Sequence, residues 1–458
     1  MSTTTRIAIV GSGPAGFYAA GQLLGSELAV EVDMFDRLPT PWGLVRLGVA
    51  PDHPKIKSVT RIYEKTAALD GFRFFGNVEV GRDIQADELI DMYDAVIYAV
   101  GAQTDRRLGI EGEDLKGSWP ATSFVAWYNG HPDFQDIPFD LDVERAVVIG
   151  NGNVAVDVAR MLTLTPDELA PTDTTDAAIE AISNSGLKEI VLVGRRGPVQ
   201  AAFTTPELKE LGELEGADVI VDPADLELDA ASEAALAEDN KAQRNMEFLR
   251  EYAQRTPTGK PRTLRLSFLQ SPTKIVGDDH VTAIELVNNK LEAGPDGRIS
   301  AVATDQTETI ECGLVLRSVG YRGVPLNGVP FDEKRATIRN KDGRVLDDEG
   351  NQLPGVYCTG WIKRGPSGVI GTNRKCATET VDLLLEDQAA GKLATGGSAP
   401  ADAIVNLLNE RSINYVPYAG WSAIDQQERS AGEAQGRPRV KLETWDKQLT
   451  AAATAAPN

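Results

Sequence analysis

The chain has 458 residues, 42% of them hydrophobic and 25% charged, which excludes a disordered or membrane-embedded chain and calls for two or three domains. With 46 basic against 68 acidic side chains, the formal net charge of -22 excludes broad contact with nucleic acid or anionic lipid and requires a local basic patch for any acidic partner. Cys312, Cys358 and Cys376 form no CxxC pair, so neither a disulfide framework nor a four-thiolate metal site is available.

TRIAIV reads as a short β-branched strand, GSGPAG as a turn, FYAAGQLLG as a helix and AVEVDMFD as a second strand. The apolar run through this turn lacks the basic flank and cleavage site of a signal peptide, and no segment spans a bilayer, so a cytoplasmic address is the default expectation. YDAVIYAVGA, 93–102, is a further buried strand. RAVVIGNGNVAVDVARML then begins a second strand, turn and helix, and EIVLVGRRG is its next strand, a repeat of architecture rather than of sequence. The acidic, alanine-rich stretch 209–240 reads as a helical or loop excursion, SFLQSPTKIV with HVTAIELVNNKL as a hairpin, and CGLVLRSVGY as a strand closing the second unit. GVYCTGWIKRGPSGVIGTNRKCATETVDLLL returns to strand, glycine loop and helix, and QAAGKLATGGSAPAD is a flexible connector to a polar helical tail.

The expected fold is therefore α/β, with two Rossmann-like dinucleotide-binding domains, the second inserted into a discontinuous first. The expected boundaries are 1–104 and 321–390 for the first domain, 105–320 for the second, and 391–458 for the connector and C-terminal appendage.

Gly11, Gly13 and Gly16 follow a strand and open a helix: the first permits the turn, the second lets a pyrophosphate approach the backbone, and the third lets helix and strand pack closely. Asp36, at the end of the next strand, suits the hydroxyl pair of an unphosphorylated adenosine ribose. A second cradle, Gly150, Gly152 and Ala155, leads to a strand that ends in Arg195 and Arg196 instead of an acid. A carboxylate there would repel a 2'-phosphate, whereas guanidinium groups clamp one through charge-assisted bonds. Two cradles of opposite character indicate a flavoprotein fed by NADPH, and the missing CxxC rules out the dithiol relay of a disulfide reductase.

PTPWGLVRLGVAPDHPKIK (39–57), GNGNVAVDVAR, VGRRGPVQAAFTTPELKEL and GWIKRGPSGVIGTN closely resemble the adrenodoxin reductase family, NADPH-ferredoxin reductases of glutathione-reductase-like fold, over most of residues 5–385. The resemblance implies FAD at Ala15, Asp36, Leu44, Val80, Trp361 and the Gly368, Val369, Ile370 turn. It implies NADP(H) at Asn151, Gly152, Asn153, Val154, Arg195, Arg196, Glu207 and again Gly368. Asp36 departs from the Glu common in the family, a shorter reach to the ribose. Pro39, Pro41 and Gly43 make a rigid loop that a flat ring can approach. His53 matches a position near the flavin, where with Glu210 it is the candidate for proton transfer, the alternative being a loop histidine braced by Asp52 and Pro54.

The implied partner is a ferredoxin-type iron-sulfur protein. Lys241, Arg244, Arg250, Arg255, Lys260, Arg262 and Arg265, against Glu247 and Glu251, offer it a basic surface, with Lys55, Lys57 and Arg61 as further cations. The resemblance places docking on the 241–250 helix, with Arg244 and Arg250 as candidates. The expected activity is hydride transfer from NADPH to FAD followed by single-electron transfer to the ferredoxin. A flavin-dependent NADPH monooxygenase and a non-catalytic flavin/NADP redox sensor are the alternatives.

Overall fold

A computed structural model describes residues 4–294, 299–393 and 399–455. The middle of the expected connector, 394–398, lies outside the described residues. The chain divides into two compact units, Met1–Thr104 with Tyr321–Asn458, and Asp105–Gly320. Both are Rossmann-like, and the second is inserted into the sequence of the first.

The first unit is built on a seven-stranded sheet, ordered Asn340–Lys341, Arg344–Leu346, Gln352–Cys358, Ala95–Tyr98, Thr5–Val10, Val30–Phe35, Phe72–Phe75. The last five strands run parallel and the first two form an antiparallel edge. Every residue of Thr5–Val10 is buried, as a strand covered on both faces requires. Ile7, Ile9, Val32, Met34 and Ile97 face one core cluster; Ala8, Val10, Phe35, Val96 and Tyr98 face the other. The tail is less peripheral than an appendage. Trp421 and Ile424 of the Tyr418–Glu433 helix join the first cluster, and Ile404 and Leu408 of the Ala403–Glu410 helix join the second.

The second unit holds a six-stranded parallel sheet, ordered Ser118–Pro120, Leu314–Arg317, Arg145–Ile149, Glu189–Val193, Arg262–Ser267, Ala217–Val221. Ala146, Val148, Ile190, Leu192, Leu264 and Leu266 face a cluster shared with helices. Val147, Ile149, Val191 and Val193 face a second cluster with Ile275, Ile284 and Leu286, which belong to a three-stranded antiparallel sheet, Gln270–Val276, Ala283–Ala293 and Ile299–Glu311.

Two local readings need correction. The 209–240 stretch contains a strand, Ala217–Val221, whose alternating burial marks a half-covered edge hidden within an acid-rich composition. The expected hairpin has a third strand, Ile299–Glu311, and SFLQSPTKIV begins at the end of a parallel strand, because Arg262–Ser267 belongs to the six-stranded sheet. Leu314–Arg317 closes the second unit along the chain, as expected, and sits inside its sheet between Ser118–Pro120 and Arg145–Ile149; strand order is set by crossovers, which periodicity does not carry.

Candidate functional site

In the first cradle the three glycines have different reasons to be there. Gly11 has φ +107 and a Cβ there would stand 2.5 Å from the Ala99 carbonyl oxygen; at Gly16 a Cβ would stand 2.1 Å from the Gly11 oxygen. At Gly13 a Cβ would meet nothing within 4 Å, so its backbone faces open space. Gly13 caps the 11-residue helix Pro14–Leu24 without a side-chain hydrogen bond, and the first-turn N–H groups are thus presented toward that space, the arrangement that receives a pyrophosphate.

Asp36 directly follows the Val30–Phe35 strand and is locked to the turn. One carboxylate oxygen accepts from the Ser12 N–H at 2.9 Å and the Ser12 hydroxyl at 2.5 Å; the other accepts from the Leu38 N–H at 2.9 Å. Burial pushes the Asp36 carboxyl up, against the pull of these bonds and of Arg37. Three of roughly four acceptor sites on a carboxylate are thereby used, and the remaining capacity is left for a ligand hydroxyl.

The Pro39–Leu47 loop packs on the same turn. The Trp42 N–H donates to the Ser12 carbonyl at 2.9 Å, and a Cβ at Gly43, where φ is +50, would stand 3.0 Å from the Gly13 Cα. The Thr40 hydroxyl and Trp42 indole N–H are buried with no hydrogen-bond partner among the described residues, two polar groups of the loop that a ligand could satisfy. Leu44 opens the short helix Leu44–Leu47 beside them, and Val80 is buried at a β-bridge to Ile84.

Ala15 is buried, and a Cβ on Gly360 would stand 2.7 Å from the Ala15 Cβ, which puts the Gly360–Ile370 segment against the same helix start. Trp361 spends its indole N–H on the Ser367 carbonyl at 3.1 Å and lies 5.2 Å from the Tyr321 ring, so its donor serves the glycine loop. Gly368 has φ +78, Val369 is 61% exposed, and Ile370 starts the 20-residue helix Ile370–Ala389. Sequence reasoning missed Arg364. It donates to the Ser367 carbonyl and Asn373 Oδ1, while its Nε and one terminal nitrogen are buried without partners among the described residues. No spacing rule announces such a residue; its only signal is the motif WIKRGPSG that contains it.

The second cradle repeats the logic. Gly150 has φ +135 and a Cβ there would stand 2.2 Å from the Ser318 carbonyl oxygen, whereas at Gly152 a Cβ would meet nothing within 4 Å. Ala155 is fully buried and Val154 packs on the core. The Asn151 carbonyl accepts from the N–H groups of Ala202 and Phe203, and Asn153 Oδ1 accepts from Thr204 N–H at 2.8 Å. These bonds fix the cradle to the start of the Thr205–Leu211 helix, which carries Glu207 and Glu210.

Arg195 is exposed and Arg196 half-buried. Their main chain is pinned: Asn289 Nδ2 donates to the Arg195 carbonyl at 2.8 Å and Leu269 N–H to the Arg196 carbonyl at 3.2 Å. Among the described residues, no carboxylate pairs with either guanidinium. Burial, and then the Arg195 charge, pull Arg196 below its ordinary pKa, the electrostatics of two neighbouring cations. Glu207 is buried and Glu210 half-buried. Both act on Arg160: burial lowers its pKa, and Glu210 and Glu207 oppose that shift. His53 is buried at the start of the Pro54–Lys57 turn in the first unit, and Glu210 belongs to the second.

The basic run needs trimming. Arg262 donates to the Leu162, Leu164 and Ile182 carbonyls, Arg265 pairs with Glu189 and Glu308, Arg255 with Glu251, and Lys260 Nζ bonds the Leu214 carbonyl. These cations serve the fold. Lys241, Arg244 and Arg250 stay exposed on the Asn240–Gln254 helix, with Glu247 among them.

A parallel sheet opening on a ligand-accepting glycine turn occurs in both units, followed by an acid in one and by paired arginines in the other; this defines the two-dinucleotide flavoprotein oxidoreductase class. Residues 5–170 match the family described as pyridine nucleotide-disulphide oxidoreductase. The chain is 52% identical over 443 residues to NADPH-ferredoxin reductase FprA of Mycobacterium leprae, covering 95% of this chain and 96% of that protein. It is 40% identical to the mitochondrial NADPH:adrenodoxin oxidoreductase of Arabidopsis thaliana, over 99% and 96% of the two chains. A solved structure of Mycobacterium tuberculosis FprA in complex with NADPH superposes with TM-score 0.93 at 50% identity, covering 98% of this chain and all of that one. The chain belongs to the NADPH-ferredoxin reductase family, which includes the adrenodoxin reductases.

Proposed function

We propose that this protein oxidises NADPH through bound FAD and passes the electrons to a ferredoxin-type iron-sulfur protein. The observation that carries the reading is the contrast between Asp36, closing the first cradle, and the Arg195 and Arg196 pair beside the second, which meets no carboxylate among the described residues. FAD, when bound, supplies the conversion of a two-electron hydride into single electrons.

This chain's residues do the binding and orienting. The first turn of Pro14–Leu24 receives the FAD pyrophosphate, Asp36 holds the ribose, and Arg364, Gly368, Val369 and Ile370 line the glycine loop that faces the same helix start. Gly152, Asn153 and Val154 receive the NADPH pyrophosphate, and Arg195 with Arg196 clamp the 2'-phosphate. Two guanidiniums facing a dianion supply charge-assisted bonds worth roughly 1.5–3 kcal/mol each. His53, with Glu210, is assigned the proton-handling role at its imidazole. Cys312, Cys358 and Cys376 are all buried and unpaired, which supports an exit for electrons that uses no dithiol. The exposed cations Lys241, Arg244 and Arg250 form the docking face for the acidic carrier.

An anaerobic titration of the yellow protein with NADPH and with NADH, followed by addition of oxidised ferredoxin, tests the reading. The expected result is bleaching of the flavin band at low NADPH, a far weaker response to NADH, and recovery of the band as the ferredoxin is reduced. A flavin that ignores NADPH, or one that recovers only by forming an organic product, overturns it.

A further inference from the structure

The C-terminal segment carries a buried ionic network that terminates on the flavin-side loop of the first unit. Arg46, in the Pro39–Leu47 loop, and Glu428, in the Tyr418–Glu433 helix, form a two-pronged ion pair with bonds of 2.8 and 2.5 Å, and the side chains are 1% and 0% exposed. Arg439 approaches Glu428 at 2.9 Å and Asp425 at 2.7 Å. The Leu442 N–H donates to Glu428 at 2.8 Å, and Lys441 Nζ reaches the Arg46 carbonyl at 3.4 Å. Aromatic rings frame the pair: Trp42 meets Trp421 edge-on at 4.8 Å, and the Arg46 guanidinium lies 5.2 Å from the Trp421 ring centre. Gly432 lets the return segment in, since a Cβ there would stand 2.4 Å from the Arg439 Cα.

A fully buried ion pair is a poor stabiliser. The cost of desolvating both charges consumes most of the attraction, and apolar residues of similar volume hold a core as well or better. What such a pair supplies is direction, because a two-pronged carboxylate–guanidinium contact admits one relative orientation where apolar contacts admit many. The element so oriented is the loop whose Trp42 bonds Ser12 and whose Gly43 touches Gly13.

We propose that Glu428, together with Arg439, is a positioning residue for flavin: through Arg46 it sets the Pro39–Leu47 loop against the first cradle, so that the C-terminal helix acts as part of the FAD site without touching it. The inference rests on the reading that the first cradle holds FAD.

The test uses the FAD-loaded protein and the double substitution Arg46→Met with Glu428→Leu, which leaves no orphaned charge. FAD release, read as the rise of free-flavin fluorescence after dilution, should be about tenfold or more faster, because a displacement of about 1 Å in a positioning element is felt on that scale. The visible circular dichroism of the flavin should change, and kcat for a dye acceptor should fall while KM for NADPH stays within about twofold. Should the double variant fold poorly, Arg439→Gln, which keeps the Arg46–Glu428 pair, should still speed release by about threefold. Unchanged release and unchanged flavin dichroism in a folded variant would overturn the proposal, whatever its melting temperature. Gly13→Val separates the two readings: if it too leaves FAD release unchanged, the cradle is misassigned; if it alone speeds release, only the positioning role fails.

Discussion

Arg195 and Arg196 stand on a turn whose carbonyls are held by Asn289 and Leu269, so the guanidiniums are aimed by a rigid backbone and removing them should change recognition without changing the fold. Replacing both with Ala should raise KM for NADPH roughly tenfold to hundredfold and leave NADH almost untouched; steady-state kinetics with both nucleotides measure it, and equal losses would show that the pair does not read the 2'-phosphate. The glycines divide by cradle. Gly150→Ala should abolish tight NADP binding while the protein stays yellow, whereas Gly11→Ala should yield colourless protein, because each Cβ would meet a backbone oxygen of its own unit at 2.5 Å or less; the flavin absorbance of the two purified variants decides. Burial pushes the Cys312 thiol up to about 12 and the Cys358 thiol higher still, so a thiol reagent at pH 8 should label neither residue in the native state. Mass spectrometry before and after unfolding would reveal any labelling. At this scale the glycines, Asp36 and the two arginines were legible because each sits at a fixed offset from a strand end. The Ser12 lock on Asp36 and the unsatisfied nitrogens of Arg364 were not, because both depend on which backbone atoms lie across a turn.

Among elements, the Asn240–Gln254 helix buries Ala242, Asn245, Met246, Leu249 and Tyr252 and turns Lys241, Arg244 and Arg250 outward. Charge reversal at Arg244 and Arg250 should slow ferredoxin reduction about tenfold at low salt and leave dye reduction intact, with the difference shrinking as ionic strength rises. Stopped-flow rates across a salt series measure this, and equal slowing of both acceptors would place these residues in the fold. Arg255, Lys260, Arg262 and Arg265 look like Arg244 and Arg250 in a charge count and differ only in what their side chains reach, which the sequence does not carry. The strand Ala217–Val221 was illegible for a related reason: five residues of alternating burial are too few to stand out from acidic surroundings.

For the whole molecule, the acid limb of stability follows from its buried carboxylates. Burial pushes Glu428 up, but Arg46 and Arg439 outweigh it and hold the carboxyl below its ordinary value; Asp387, paired with Arg344 and Tyr357, is likewise lowered against burial. A carboxylate with a lowered folded pKa adds stability above its unfolded value, about 4.3 for Glu, and loses it as pH falls through the folded value. Asp36, whose pKa is raised, acts in the opposite sense, its cost present at neutral pH and relieved in acid. Urea midpoints should therefore hold steady from about pH 7 to 5 and fall below about pH 4. The Arg46→Met, Glu428→Leu pair should show a shallower fall, and an equal slope would remove Glu428 from the account.

The insertion of Asp105–Gly320 into the first unit also sets a timetable for synthesis. The strand Ala95–Tyr98 is fully buried in the finished sheet, yet its partner on one side, Gln352–Cys358, leaves the ribosome only after the entire second unit. At roughly 5–20 residues per second that wait is on the order of thirteen to fifty seconds. During it the nascent chain presents an apolar strand edge, the feature that recruits chaperones or seeds aggregation. The second unit, contiguous in sequence, is free to fold in the interval. The first unit is thus begun first and completed last, and a chain stopped between residues 320 and 352 should carry a foldable second unit joined to a sheet that cannot close.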